Sequence, residues 1–246
     1  MKKTRRFFKK LFIRFLYAAR ILFKRRSSTL TVTLLERTTP LSTKFAFDRG
    51  KPVERYYIEK FLYENRQYIK GCVLEVARDL YSTRYARLNE TTTEEMIVET
   101  LHYDGTQGKV SIVGDLTKPE TLPENRYDCF ICTQVYMFIF DVLKALEGSY
   151  HLLKEGGTLL ATVAGISQVS RDDMNKWGDY WRFTNKSLEL LFKQTKFSQV
   201  EIVHFGNVMA SCAFLQGIAL EEIPNRELLD VTDENYQLII GIRAVK

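Results

Sequence analysis

The sequence predicts an α/β domain in which helices cover both faces of a mostly parallel, doubly wound sheet. Seven short segments of strand character alternate with segments of helical periodicity along the chain. The segment 127–135 is almost continuously apolar, as a strand buried on both faces should be. The chain has 246 residues, of which 45% are hydrophobic, so it can build one substantial core and carry a short extension.

The first 26 residues form a basic amphipathic segment that predicts a helix. They hold eleven Lys and Arg and no acid, so the net charge of +6 for the chain leaves residues 27–246 at −5. Internal charges prevent an apolar membrane span, and no clear signal-peptide centre is present. We expect a helix lying on an anionic membrane surface. A segment that packs on a partner or is unfolded, and a targeting segment, remain alternatives.

The domain plan follows from composition. Residues 27–52 are rich in Ser and Thr and end in the turn signal of residues 50–52, so we expect a linker there and a single domain over 53–246. Pro52 suits the start of a helix over 52–69. Strands are expected at 72–77, 96–101, 109–114, 127–135, 158–164, 199–205 and 236–244. Further helices are expected at 140–153, ended by Gly156-Gly157, and at 186–195 and 207–223.

Cysteine, histidine and charge patterns exclude several function classes. The four cysteines are scattered in apolar runs, which indicates reduced thiols and a cytoplasmic location. Together with the basic segment, this leads us to expect attachment to the inner face of the membrane. Cys129 and Cys132 form a CxxC, but it lies inside a predicted strand. None of the three histidines has metal-ligand spacing, so we expect no metal site. The acidic body predicts no specific nucleic-acid surface.

Several motifs in this order resemble one enzyme class. They are residues 54–58 (ERYYI), 112–117 (IVGDLT), 127–134 (YDCFICTQ), 153–157 (LKEGG), 177–184 (WGDYWRFT) and 205–208 (FGNV). The series resembles the class I S-adenosylmethionine-dependent methyltransferases, and within them the methyltransferase-domain proteins associated with bacterial glycan and glycosyltransferase genes. The resemblance covers about residues 48–246. It implies a Rossmann-like seven-stranded sheet, S-adenosylmethionine as cofactor, and methyl transfer to a sugar or related small acceptor.

The resemblance also implies roles for residues at the carboxyl ends of the first four strands. Glu75 and Ala77 would support the methionine part of the cofactor, and Glu99 would hold the two ribose hydroxyls. Asp115 and Leu116 would lie beside the adenine. Thr133 and Gln134 would face the sulfonium. The alternatives are structural: Asp115 could simply cap the next segment, and Glu99 could be a solvent-exposed charge at the end of a strand.

The aromatic segment 177–184 is implied to cover the acceptor pocket. Trp177, Tyr180, Trp181 and Arg182 are the substrate-binding candidates, although the three aromatic residues could also belong to the core. For a sugar hydroxyl, alignment of the reactants would contribute most, assisted by a general base. Asp179 and His102 are the candidates for that base.

The turn after the first strand departs from the resembled family. The family places glycines there so that the chain turns tightly and the cofactor touches the backbone. Here Ala77 and Ala86 stand near two of those positions, and no glycine occurs from residue 72 to residue 90. Two outcomes follow: an active enzyme with an open cavity, or a catalytically degenerate domain that acts as a binding or scaffold module. In the second case Arg78, Leu80 or Tyr81 should fill the cavity.

Overall fold

The computed structural model describes residues 37–86, 96–105 and 111–246. The predicted basic helix over 1–26, and its boundary with the predicted linker, lie outside the described residues.

Within the described residues, seven strands form one sheet. They are β1 (Cys72–Val76), β2 (Ile97–His102), β3 (Ile112–Val113), β4 (Tyr127–Thr133), β5 (Leu153–Ala164), β6 (Ser198–Phe205) and β7 (Ile239–Val245), in the spatial order β3-β2-β1-β4-β5-β7-β6. The pairs from β3 to β5 are parallel, and β7 is antiparallel to both β5 and β6. The order reverses between β1 and β4, which is where such sheets bind ligands. The predicted mostly parallel, seven-stranded sheet is confirmed.

Helices cover both faces of this sheet. They are α1 (Val53–Glu64), α2 (Leu80–Ala86), α3 (Val142–Leu152), α4 (Arg171–Lys176), α5 (Asn185–Phe192) and α6 (Val208–Gln216). One core cluster takes its helical residues from α3 and α5, and the other takes them from α1, α2 and α6. The two clusters meet the sheet on opposite sides because side chains alternate along each strand: Leu74 belongs to the first cluster and Val73 to the second.

Several elements of the structure differ from the prediction. The predicted helix 207–223 ends at Gln216, because Gly217 takes a left-handed conformation with φ of 67° and stops it. Helix α3 passes directly into β5 at Leu153, so Gly156 and Gly157 lie within the strand and do not terminate the helix. Helices α2 and α4 occur where connections had been expected.

The described part of the predicted linker packs against the domain. The amide of Leu41 donates to the carbonyl of Gln216 at 2.8 Å, and Ser42 and Ala46 are buried. Gln168, in the connection after β5, donates its side-chain amide to the carbonyl of Thr43 at 3.0 Å. The chain is therefore fixed beside the carboxyl edge of the sheet before α1 begins.

The CxxC lies in β4, as predicted, and both of its thiols are free and fully buried. Burial raises the pKa of the Cys132 thiol to about 12. Among the described residues, no helix has the length and apolarity required to cross a bilayer.

Candidate functional site

A cavity of about 660 Å³ opens at the carboxyl edge of the sheet, beside the reversal of strand order. Its volume lies within the range of small-molecule sites. The ends of β1, β2, β3 and β4 contribute its floor, and the segments 138–141 and 173–180 contribute its outer wall. Of the residues predicted for function, it is lined by Ala77, His102, Asp115, Leu116, Thr133, Gln134, Trp177 and Tyr180.

The turn after β1 keeps a left-handed backbone without a glycine. Ala77 has a φ of 69°, its amide donates to Leu101 O at 2.9 Å, and the next amide donates to Val76 O at 2.9 Å. An alanine in this conformation costs roughly 1–2 kcal/mol. The surrounding hydrogen bonds hold it there, so the turn that the family makes with glycine is made here with alanine.

Glu75 anchors this turn from beneath. It is buried, and its carboxylate accepts hydrogen bonds from the amide of Tyr81 (3.1 Å) and from the amide and hydroxyl of Ser82 (2.8 and 2.7 Å). Burial raises the pKa of the Glu75 carboxyl, although these hydrogen bonds oppose the shift. Glu75 does not line the cavity. It fixes the start of α2 and thereby the loop that does.

The residues expected to fill a degenerate site leave the cavity open. Arg78 and Leu80 are exposed, with Leu80 at 60%. Tyr81 is buried in the core cluster on the α1 face, where its hydroxyl accepts a hydrogen bond from Arg55 at 2.7 Å. None of the three lines the cavity.

Asp115 follows β3 and presents a carboxylate at the cavity wall. Its Oδ1 accepts hydrogen bonds from the amide and hydroxyl of Thr117 at 2.9 and 2.8 Å, and Lys118 Nζ lies 3.6 Å from Oδ2. Asp115 therefore closes a local turn and lies at the cavity wall, but it does not cap the following helical turn at Pro119–Thr121. The buried Leu116 lies next to it on the same wall.

Glu99 does not reach the cavity, which corrects its predicted position at the end of the second strand. It pairs in register with Leu74, three residues before β2 ends at His102. Its carboxylate accepts a hydrogen bond from Tyr127 Oη at 2.6 Å and pairs with Arg126. The residues that follow β2 are Tyr103, which lines the cavity, and Asp104, whose Oδ1 is 2.9 Å from His102 Nδ1.

The end of β4 turns sharply at Gln134. This residue has a φ of 55°, and its amide donates to Thr162 O at 2.7 Å. Its side-chain amide lies 3.3 Å from the Thr162 hydroxyl, so it is directed to β5. Thr133 and Gln134 both line the cavity, at the position that the sequence predicted.

Two of the predicted substrate-binding aromatics lie on the outer wall. Trp177 contacts the His102 and Tyr103 rings edge-on, with centroids 5.9 Å apart in each pair. Tyr180 meets Phe140 edge-on at 5.4 Å. Trp181 lies just outside the lining residues, with its ring against Phe140.

Asp179 and Arg182 bind each other, which corrects their predicted roles as base and substrate ligand. Two nitrogens of the guanidinium lie 2.6 and 3.0 Å from the two carboxylate oxygens, and the Asp179 side chain is 1% exposed. Burial alone would raise the pKa of Asp179, but hydrogen bonds from Arg182 and the Ser170 amide outweigh it and lower the pKa. Arg182 also donates to Gln168 O, so the pair holds the loop together and lies outside the cavity.

Several residues of the cavity wall were not predicted from the sequence. They are Tyr103, Phe138, Ile139, Phe140, Asp141, Asp173 and Lys176. The first follows β2, whose predicted end was one residue short. The segment 138–141 was assigned partly to a helix that in fact begins at Val142, and the last two belong to the unpredicted α4.

Comparisons with known proteins agree with this geometry. Residues 71–161 match the model of a family described as a methyltransferase domain. A solved structure from Bordetella parapertussis, described as a possible exported protein, has 12% identity and a TM-score of 0.51, covering 81% of this chain and 71% of its own. At such identity the likeness concerns the fold alone. A search of curated proteins found no match.

Two further solved structures have slightly lower TM-scores. A SAM-dependent methyltransferase from Archaeoglobus fulgidus has 12% identity and a TM-score of 0.49, covering 78% of this chain and 94% of its own. Phosphoethanolamine N-methyltransferase 2 from Haemonchus contortus has 15% identity and the same TM-score, covering 76% and 52% respectively.

The matched segment runs from the residue before β1 to Ala161 within β5 and includes the β1 turn, Asp115 and the end of β4. The match supports S-adenosylmethionine as the cofactor expected from the sequence. The sheet order is that of the class I methyltransferase fold, and residues 71–161 are similar to a methyltransferase domain.

Proposed function

We propose that this protein transfers a methyl group from S-adenosylmethionine to a hydroxyl of a small acceptor, with a sugar or glycan as the acceptor class. The observation that carries the proposal is the open cavity at the carboxyl ends of β1 to β4, to which the turn at Ala77 and the carboxylate of Asp115 both contribute. When bound, the cofactor would supply an electrophilic methyl group: the acceptor oxygen would form the new O–C bond as the methyl–sulfur bond breaks, and the hydroxyl proton would pass to a base.

The cavity offers groups that suit this cofactor. The Asp115 carboxylate is an acceptor beside the apolar Leu116, as an adenine amino group and ring require. The exposed backbone at Ala77 approaches the methionine part, held by the hydrogen bonds to Glu75. Thr133 and Gln134 lie at the end of the central strand, towards the reacting centre. Asp104 follows the cavity-lining Tyr103 and, although it does not itself line the cavity, is our candidate for the ribose role that had been expected of Glu99.

The outer wall suits a sugar-like acceptor. Trp177, Tyr180 and Phe140 present ring faces and edges to the cavity, and Asp173 and Lys176 add polar groups beside them. Aromatic rings pack against the apolar faces of a sugar, while polar groups bind its hydroxyls. His102 lines the cavity and is paired with Asp104, so it is the remaining candidate for the base.

Isotope-labelled S-adenosylmethionine and a panel of free sugars, nucleotide sugars and oligosaccharides test the proposal on the full chain. Transfer of label to a carbohydrate acceptor would support it. Transfer only to amines or proteins would leave the methyltransferase and reject the acceptor class. If the folded chain bound neither S-adenosylmethionine nor S-adenosylhomocysteine, the enzyme would be rejected and the scaffold alternative favoured. The replacement of a family glycine by Ala77 would then account for the loss of cofactor binding.

A further inference from the structure

An exposed aromatic surface surrounds the mouth of the cavity. We call Tyr103, Phe140, Tyr180 and Trp181 the aromatic rim. Phe140 is 68% exposed, Tyr180 49% and Trp181 39%. Leu80, at the start of α2, and Val113, at the end of β3, are further exposed apolar side chains at the carboxyl edge. A concentration of exposed apolar groups around one opening indicates a binding surface.

The aromatic rim is fixed by hydrogen bonds and ring contacts. The Trp181 indole donates to the Phe140 carbonyl at 3.2 Å, and the amides of Tyr180 and Trp181 donate to Met137 O at 2.9 and 3.3 Å. The Phe140 ring contacts the rings of both Tyr180 and Trp181, with centroids 5.4 and 5.8 Å apart. The exposed rings are therefore held outward by the fold.

Thr43, which follows the basic segment along the chain, lies near this rim. Thr43 O accepts a hydrogen bond from Gln168, and Gln168 O accepts one from Arg182, the neighbour of Trp181. Arg26, the last basic residue of the segment 1–26, precedes Thr43 by seventeen positions. At roughly 3.3–3.6 Å per extended residue, this connection is long enough for the basic segment to reach the plane of the rim.

We propose that the aromatic rim lies on an anionic lipid bilayer, so that the cavity opens onto the membrane surface. Trp and Tyr are the side chains most typical of membrane interfaces, and Phe140 is exposed enough to enter the acyl boundary. Residues 27–246 have a net charge of −5 and therefore no net attraction to anionic lipid. The eleven basic residues of the segment 1–26 supply that electrostatic attraction. This inference does not depend on cofactor binding or on the acceptor.

Fluorescence of Trp181 tests the proposal on the full chain. The sequence contains two tryptophans, so a Trp177→Phe variant leaves Trp181 as the only indole. Its emission is measured with phosphatidylcholine vesicles and with vesicles that also contain phosphatidylglycerol, each prepared with and without brominated acyl chains. We expect binding that requires phosphatidylglycerol, and bromine quenching of Trp181. No binding to either vesicle, or binding without quenching, would overturn the proposal.

Two sets of variants separate the rim from the charge. Phe140→Ser should lower vesicle affinity about tenfold, whereas Tyr63→Ser, which removes a half-exposed ring near the end of α1, should leave it unchanged. Replacing Lys9, Lys10 and Arg14 with Gln should reduce the dependence on phosphatidylglycerol. Equal losses in Phe140→Ser and Tyr63→Ser would contradict a specific role for the rim. Calorimetry with S-adenosylhomocysteine, in the absence of lipid, reports separately on the proposed function.

Discussion

The turn after β1 and the strand β2 lie side by side, and they relate to their sequences in opposite ways. In the turn, the glycine pattern is lost, yet Ala77 still adopts the left-handed conformation and the cavity stays open. In β2, Glu99 has suitable spacing from β1, yet its carboxylate is bound to Tyr127 and Arg126 away from the cavity. A backbone conformation can persist without its preferred glycine at a modest cost in folding free energy. A side chain, in contrast, no longer reaches the cavity when its position along the strand differs by a few residues.

The largest expected effect is on cofactor affinity, and it separates Asp115 from Glu99. Asp115→Asn keeps a carbonyl oxygen but loses the charge, and a hydrogen bond to a charged group contributes about 1.5–3 kcal/mol. We expect S-adenosylhomocysteine to bind ten- to a hundredfold more weakly. Glu99→Gln should leave affinity within about twofold and lower the unfolding temperature instead, because it weakens the contacts of Tyr127 and Arg126.

Calorimetry and thermal unfolding of the two variants measure this contrast. A tenfold loss of affinity in Glu99→Gln, with none in Asp115→Asn, would mean that the cofactor approaches a different part of the sheet. Asp104→Asn provides a second comparison. It should weaken binding as Asp115→Asn does if the ribose lies beyond the end of β2.

The next effect is on the support of the β1 turn. Glu75→Gln removes the charge that accepts hydrogen bonds from Tyr81 and Ser82, and should lower the free energy of unfolding by about 1–3 kcal/mol. Ser82→Ala removes only the hydroxyl bond and should cost about 1 kcal/mol. Denaturant unfolding measures both changes. Unchanged stability in Glu75→Gln would show that the turn is held by other contacts.

A smaller effect of opposite sign is expected at Ala77. Ala77→Gly removes the strain of a φ of 69°, which is partly offset by the larger entropy of the unfolded glycine chain, so the net gain should be about 0.5–1 kcal/mol. Ala145→Gly, within α3, should instead destabilise the protein by about 1 kcal/mol or more. Denaturant unfolding of both variants checks the signs. A loss of stability in both would mean that Ala77 is unstrained.

The smallest effect concerns Glu54, a second buried glutamate among the described residues, on α1. Burial raises the pKa of Glu54, opposed only by Arg55, whose Nε is 3.7 Å away. A carboxyl whose pKa is higher in the folded state favours folding at acid pH, and this contribution is lost as pH rises from the unfolded pKa of about 4.5 through the raised value.

Glu54→Gln should therefore flatten the decline of stability across this pH window and make the protein relatively more stable at pH 7. Denaturant midpoints across the window, for the native chain and the variant, measure the difference. A steeper decline in Glu54→Gln would show that Arg55 stabilises the ionised carboxylate more than burial penalises it.

The sequence predicted the parts of this fold that depend on patterns within one segment. The apolar run of β4 identified a central strand, and the alternation of strands and helices identified the sheet. Helix α2 was not predicted, because the resembled family has a glycine-rich turn at this place in the chain. The spacing of Tyr81 and Tyr85 is nevertheless the i, i+4 spacing of one helical face.

The site was less predictable because it depends on contacts between distant segments. Asp115, Thr133 and Gln134 end strands with clear patterns, and they lie in the cavity. Asp179 and Arg182 flank an aromatic pair, and this pattern suggested a sugar site. In the structure the two opposite charges, three residues apart, form an ion pair with each other. The position of Glu99 relative to the cavity depends on the register between β1 and β2, and the spacing of residues along the sequence does not determine that register.

Calorimetric titration of the full chain with S-adenosylmethionine and S-adenosylhomocysteine measures whether a left-handed Ala77 preserves an open cofactor cavity. We predict micromolar binding of both ligands, weakened by Asp115→Asn and not by Glu99→Gln. A folded chain that binds neither ligand at millimolar concentration would contradict this prediction and show that the turn preserves the shape of the site without its affinity.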